Sequence, residues 1–153
     1  MIIFNKEFST KIANNLTSSF SLPNKLLCLI DEGFVIHSNE CIFFRSTQPI
    51  DTNENDGNFF DKTEQECFYN ELRISDYIKK DIASIAVNFA EGIIGKLKKM
   101  ESKKFEVIVI FDDFDGELDA VIKLHTLRNE ETPYIDIKSI DEYQQPIFIC
   151  RTE

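Results

Sequence analysis

Phe105-Glu106-Val107-Ile108-Val109-Ile110-Phe111-Asp112-Asp113-Phe114-Asp115-Gly116-Glu117-Leu118-Asp119-Ala120-Val121-Ile122-Lys123-Leu124-His125 is the stretch that decides the fold. Asp-Gly between two apolar runs is a strong hairpin signal, because a two-residue type I′ turn needs left-handed backbone at both central positions. The reading predicts one strand over Lys104 to Phe111 and a second over Glu117 to Leu127. In the second strand Leu118, Ala120, Ile122 and Leu124 point one way and Glu117, Asp119, Lys123 and His125 the other, so one face of the sheet is expected to be wet. Phe105 to Phe111 is apolar on both faces and is expected at the sheet centre. With Asp115-Gly116 as the turn, Phe114 opposes Glu117, Asp113 opposes Leu118 and Asp112 opposes Asp119.

Working outward, Ile78, Ile82, Ile85, Phe89, Ile93 and Leu97 recur at three and four, which predicts a helix of about 25 residues opened by Ser75 or Asp76 as N-cap. Gly92 and Gly95 inside it permit the close approach of a strand or are simply tolerated. Before that helix, Phe68 to Ile74 reads as a strand and Thr47 to Glu66 as a long polar loop. Lys25 to Ile30, Gly33 to His37 and Cys41 to Arg45 read as strands of a meander, the first of them readable also as helix. Phe8, Ile12, Leu16 and Phe20 mark a short amphipathic helix between Asn5 and Phe20. At the other end, Ser139 to Tyr143 suggests a helical turn and Ile147 to Cys150 a final strand. Hairpins outnumber any βαβ rhythm. The expectation is an α+β fold: an antiparallel sheet with an N-terminal helix and one long central helix packed on it, a single domain over 1–153 with an acidic loop at about 47–66.

Composition narrows the function. The chain has 153 residues, 42% of them hydrophobic, with 14 Phe, enough for a core. Acids outnumber bases 27 to 17, giving a net charge of −10; direct nucleic-acid binding is not expected, since phosphate contacts need a positive surface. The longest apolar runs fall far short of the roughly 20 residues that cross a bilayer, so no membrane association is expected. Met1 to Asn5 has neither a basic nor a long apolar region of a secretory signal, and a cytoplasmic location is the expectation. Cys28, Cys41, Cys67 and Cys150 form no C-x-x-C pair, and Cys28, Cys41 and Cys150 sit among apolar neighbours as small hydrophobes. His37 and His125 have no ligand-spaced partner, His125 reading as a surface residue. No phosphate cradle or nucleophile elbow occurs. No catalytic residue, metal site or cofactor is therefore assigned. Lys96, Lys98, Lys99, Lys103 and Lys104 cluster where cations complement a helix C-terminus.

The acidic surplus is unevenly spread. Residues 1–50 are neutral, 51–100 carry −3 and 101–153 carry −7. Asp112 to Asp119 holds five acids and no base, with Asp112 set against Asp119, an arrangement that costs stability unless something relieves it. The candidates are a hard cation, a basic partner, or a merely solvated tip. The spacing does not match a calcium loop, and the start at Asp51 fails as well, with Gly57 one position late and Lys62 in place of the bidentate Glu. A one-sided field steers a basic partner and mimics the charge of nucleic acid. The candidate partner-binding residues are Asp51, Glu54, Asp56 and Asp61 in the loop, and Asp112, Asp113, Asp115, Glu117 and Asp119 on the hairpin.

The stretch from Phe111 to Ile122, and the ending Tyr143-Gln144-Gln145-Pro146-Ile147-Phe148-Ile149, resemble the bacterial immunity proteins that neutralise polymorphic toxins, including those of contact-dependent growth inhibition. The likeness is one of class, across the whole length. It implies a role without catalysis and a partner in the form of a basic toxin domain, often a nuclease. Two other readings stand beside it: a metal-dependent binding protein or enzyme using Asp112 to Asp119, and a general adaptor or oligomerising domain.

Overall fold

The computed structural model describes residues 1–17, 21–50 and 57–153, the side chain of Phe114 excepted; the expectations for Phe20, Asp51, Glu54 and Asp56 lie outside these residues. In chain order the elements are β1 (Ile2–Phe4), α1 (Lys6–Lys11), α2 (Asn24–Glu32), β2 (Phe34–Ile36), β3 (Ile42–Phe44), α3 (Lys62–Tyr69), β4 (Leu72–Arg73), α4 (Ile82–Leu97), β5 (Phe105–Phe114), β6 (Glu117–Thr126) and β7 (Ile147–Arg151). Five strands form an antiparallel sheet in the order β1-β7-β5-β6-β4, and β2 pairs with β3 in a separate ribbon. The fold is α+β.

The hairpin has the register that its turn chemistry dictates. Phe114 opposes Glu117, Asp113 opposes Leu118 and Asp112 opposes Asp119. Asp115 and Gly116 take φ of 53° and 81°, the left-handed pair of a type I′ turn. β5 is central, bonded to β6 along its length and to β7 from Glu106 to Ile110. One face of the sheet buries Phe105, Val107, Val109, Phe111, Ile122 and Leu124 against Ile85, Phe89, Ile93 and Leu97 of α4. Phe8 of α1 joins this core, its ring 5.8 Å from Phe111 and 5.2 Å from Phe148.

The structure corrects the sequence reading in several places. The long helix has 16 residues. Asp81 is left-handed at φ 56°, so the helical path begins after it, and Ile74–Asp76 form a separate 3-10 turn. Ile78 continues the spacing of four across this break because it packs on the same core from a loop. Gly92 does admit a close neighbour, but a helix: a Cβ there would stand 2.9 Å from Ile30 Cδ1 of α2. The run from Lys25 is helical, and the N-terminal helix is one short α-helix followed by a 3-10 turn, preceded by a strand that sequence alone did not suggest. The end of the acidic loop is α3, and the strand expected over Phe68 to Ile74 shrinks to Leu72–Arg73.

The second sheet face is covered away from the hairpin turn and wet only toward it, where Glu117 is exposed. Ile135 and Ile140, from the irregular stretch and 3-10 turn before β7, cover Ile108, Ile147 and Ile149, and His125 is fully buried. Among the described residues no helix is long and apolar enough to cross a membrane.

Cys41, Cys67 and Cys150 are buried, whereas Cys28 is exposed, contrary to its apolar neighbours in sequence. Burial, reinforced by the Glu66 carboxylate, pushes the Cys41 thiol up to about 12. Burial does the same to Cys150, to about 12, with Glu91 adding to it, and it raises Cys67 as well. Since the thiolate is the reactive form, Ellman's reagent at about pH 8 should titrate a single rapid thiol in the native chain and all four after unfolding. Cys28→Ser should abolish the rapid phase; a second rapid thiol in the native chain would contradict the burial of the other three.

Candidate functional site

Five predicted residues come together at the turn end of the hairpin, but they divide into two classes. Asp119 is used by the fold. Its carboxylate accepts from Arg73 Nη1 at 2.9 Å, from the Ser75 hydroxyl at 2.6 Å and from the Ser75 backbone N–H at 3.1 Å. Burial by itself would raise its pKa, but the hydrogen bonds from Ser75 and Arg73 outweigh burial and hold the carboxyl below its ordinary value. Across the ladder, Asp112 accepts from Gln145 Nε2 at 2.8 Å. The repulsion between Asp112 and Asp119 is therefore relieved from within the chain, by Arg73 and Ser75 on one flank and Gln145 on the other, where the sequence left a cation, a basic partner or a merely solvated tip as the candidates.

Asp113, Asp115 and Glu117 are different: all three are exposed, and among the described residues none makes a salt bridge. The turn projects them on a ladder bonded up to its last pair, which holds the strand ends in fixed relation. Asp113 and Glu117 stand over a cleft of about 1140 Å³ between the hairpin and the start of α4, with Arg73, Lys79, Asp81 and Ser84 on its other walls. Lys79 donates to the Ser75 carbonyl at 2.6 Å and Arg73 to Asp119, so the bases of the cleft are engaged by the chain while the two acids at its lip are not. This arrangement can accept a lysine or arginine side chain; it offers no nucleophile set against a base. Among the described residues no three His, Cys, Asp or Glu side chains converge to hold a metal ion.

Asp61, the one predicted loop residue among those described, does not join this cluster. Asp61 is the N-cap of α3, accepting from the Glu64 N–H at 2.7 Å, and α3 bonds to β6 through Leu124 and Thr126. The hairpin turn lies past the opposite end of that ten-residue strand, about 30 Å away at the usual rise per residue. Of the residues that shape the cleft, Ser75 has a sequence signal only as a candidate N-cap, and Arg73 and Lys79 have none beyond their position just ahead of the long helix.

The model of a family described as the uncharacterized protein PM0498 family matches residues 3–153. No curated protein matches the chain, and no solved structure does. With a match that runs from the third residue to the last, the chain belongs to the uncharacterized protein PM0498 family.

Proposed function

We propose that this protein is a non-catalytic inhibitor, an immunity protein that docks the free carboxylates of its hairpin turn onto a basic toxin domain, a nuclease being the toxin class that the charge best suits. The observation that carries the reading is the contrast within the hairpin: Asp112 and Asp119 are satisfied internally, while Asp113, Asp115 and Glu117 are left in solvent on a rigid projection. Carboxylates held this way lose little freedom on meeting a cation and steer its approach from a distance. The charge of −7 over residues 101–153 adds a field of the same sign. Such an inhibitor acts where the toxin does, in the cytoplasm, and needs no cofactor.

The test is association of the purified chain with the basic product of a neighbouring gene, followed by stopped flow at low and high salt. Reversing the three free charges together, Asp113→Lys, Asp115→Lys and Glu117→Lys, should slow association at low salt by about 10- to 1000-fold. The difference should close at about 0.5 M salt, where the Debye length is only a few ångströms. Because the three side chains are exposed, stability should fall only by the about 1 kcal/mol that Lys costs at the left-handed position of Asp115. An unchanged association rate at low salt would remove the hairpin from the interface.

A further inference from the structure

β1 is an edge strand, bonded to β7 on one side only. Met1 exchanges main-chain hydrogen bonds with Arg151 at 2.9 and 2.8 Å, and the Asn5 N–H donates to the Ile147 carbonyl at 3.2 Å. Bonded and non-bonded pairs alternate along an antiparallel ladder. Ile3 is therefore bonded to Ile149, while Ile2 and Phe4, paired with Cys150 and Phe148, turn their N–H and C=O groups away from β7. Among the described residues no hydrogen bond from elsewhere reaches these four groups. The side chains are open as well. Ile2 and Phe4 stand on the α4 face, 52% and 50% exposed, the Phe4 ring resting at 5.6 Å on that of buried Phe8, and Met1 is 53% exposed.

Natural sheet edges are guarded by charge, proline, a bulge, a cover or brevity. Ile2-Ile3-Phe4 has neither charge nor proline, and its three residues are its only guard. Two donors and two acceptors at alternate positions match the edge of another extended strand, which meets all four at once.

A second copy of β1 supplies that strand in register. With a two-fold axis at Ile3, Ile2 exchanges both main-chain bonds with Phe4 of the second copy, and Phe4 does so with its Ile2. Every outward group is then bonded. Ile3 faces Ile3 as the non-bonded pair, and Ile2 lies beside Phe4 of the second copy on the α4 face. Charge suits the same register. Glu153 stands 3.3 Å from the Met1 ammonium, and Met1 falls opposite Asn5 of the second copy, one position from its Lys6. In a chain of net charge −10, copies meet at least cost where the surplus is absent, and residues 1–50 are neutral.

We infer that this protein self-associates through β1, two copies pairing antiparallel about Ile3 so that their five-stranded sheets join into one. Half of three large apolar side chains is roughly 300 Å² per copy, below the about 800 Å² of a standard interface, so the dimer is weak and concentration-dependent. No residue of the hairpin turn takes part, and the inference stands apart from the proposed function.

Sedimentation equilibrium of the untagged full chain should show a mass rising from 17.8 kDa toward twice that value, with a Kd on the order of 100 µM. Ile2→Pro removes one outward donor from each copy and no bond to β7, whereas Ile2→Lys keeps the donor and sets a charge on the edge; each should weaken association about tenfold or more. Two readouts on the parent chain locate the contact. By NMR the Ile2 and Phe4 amides should exchange about fourfold more slowly at about 1 mM than at about 10 µM. In a mixture of ¹³C-labelled and unlabelled chain the Ile3 α-protons should show an intermolecular contact, the close approach of a non-bonded antiparallel pair. A mass that stays at 17.8 kDa up to about 1 mM would leave the edge to a strand of another protein and overturn the inference. Association that survives Ile2→Pro unchanged, lacks the Ile3 contact or leaves the two amides equally fast at both concentrations would place the interface elsewhere and overturn it as well.

Discussion

Glu66→Ala should lower the free energy of unfolding by about 3–5 kcal/mol, the usual cost of removing one member of a buried charge pair. Glu66 is fully buried on the inner face of α3. One carboxylate oxygen accepts from the Ile42 N–H at 2.7 Å and the Thr126 hydroxyl at 2.8 Å; the other accepts from the Thr126 N–H at 3.0 Å and Arg128 Nη1 at 2.5 Å. Asn70, one turn later, accepts from the Phe44 N–H at 3.1 Å and donates to the Ile42 and Leu124 carbonyls at 2.9 and 3.2 Å. The two side chains thus do what a strand would do between β3 and β6, satisfying backbone groups on both edges and joining the ribbon to the main sheet. Truncation at Glu66 leaves two backbone N–H groups, a hydroxyl and a guanidinium whose side chain is only 8% exposed. Among the described residues Glu131, 3.5 Å from Arg128, is the carboxylate left to face that guanidinium, and it is already engaged by Thr63.

Urea unfolding reads the effect directly, with a midpoint lower by about 2 M at an unchanged slope. Glu66→Gln tests whether charge or shape matters: its amide keeps one acceptor oxygen but turns an N–H₂ group toward donors, so a loss of comparable size is expected. Exposed Glu101→Ala should change stability by less than about 0.5 kcal/mol. A loss below about 1 kcal/mol for Glu66→Ala would mean that water replaces the carboxylate at little cost, and the bridging role would fall.

The same residues explain which parts of the molecule could be read in advance. The hairpin was legible because its information is local: Asp115-Gly116 fixes the turn, and alternation then fixes the register down to the facing pairs. The central position of β5 followed from its being apolar on both faces. α3 was not legible, since its inward positions are Glu66 and Asn70, polar residues that look like a solvated face until the strand edges opposite them are known. A local signal did exist in Asp61 and Glu64, the spacing of a capping box, and the Asp61 cap forms. The covered second face was missed for a related reason. Its lid is Ile135 and Ile140, from stretches without apolar periodicity, and nothing local marks His125 as buried. At the hairpin, the outward aim of Asp113, Asp115 and Glu117 agreed with the reading, but the groups that quench Asp119 come from residues 44 and 46 positions upstream, a distance that no spacing rule covers.

Glu106→Leu should cost a similar 3–5 kcal/mol or so, and its partner variants decide why. In register, Glu106 of β5 faces His125 of β6 on one side and Arg151 of β7 on the other. Both Glu106 and His125 are fully buried. One Glu106 oxygen meets His125 Nε2 at 3.2 Å and the other accepts from Arg151 Nε. His125 Nδ1 stands 2.9 Å from the Thr126 carbonyl, so each ring nitrogen faces an oxygen. Removing the carboxylate leaves Nε2 without a partner and a guanidinium only 12% exposed without its counter-ion. If the loss arises from those abandoned groups, then adding His125→Leu and Arg151→Met to Glu106→Leu should restore much of the stability, because a well-packed apolar trio carries no desolvation penalty. If instead the contacts among Glu106, His125 and Arg151 stabilise the sheet in their own right, the triple variant should be no more stable than Glu106→Leu alone. A thermodynamic cycle through the single, double and triple variants separates the two, with coupling energies of about 0.5–3 kcal/mol expected for residues in direct contact. Strictly additive losses across the cycle would show that the three side chains act separately, despite their shared register.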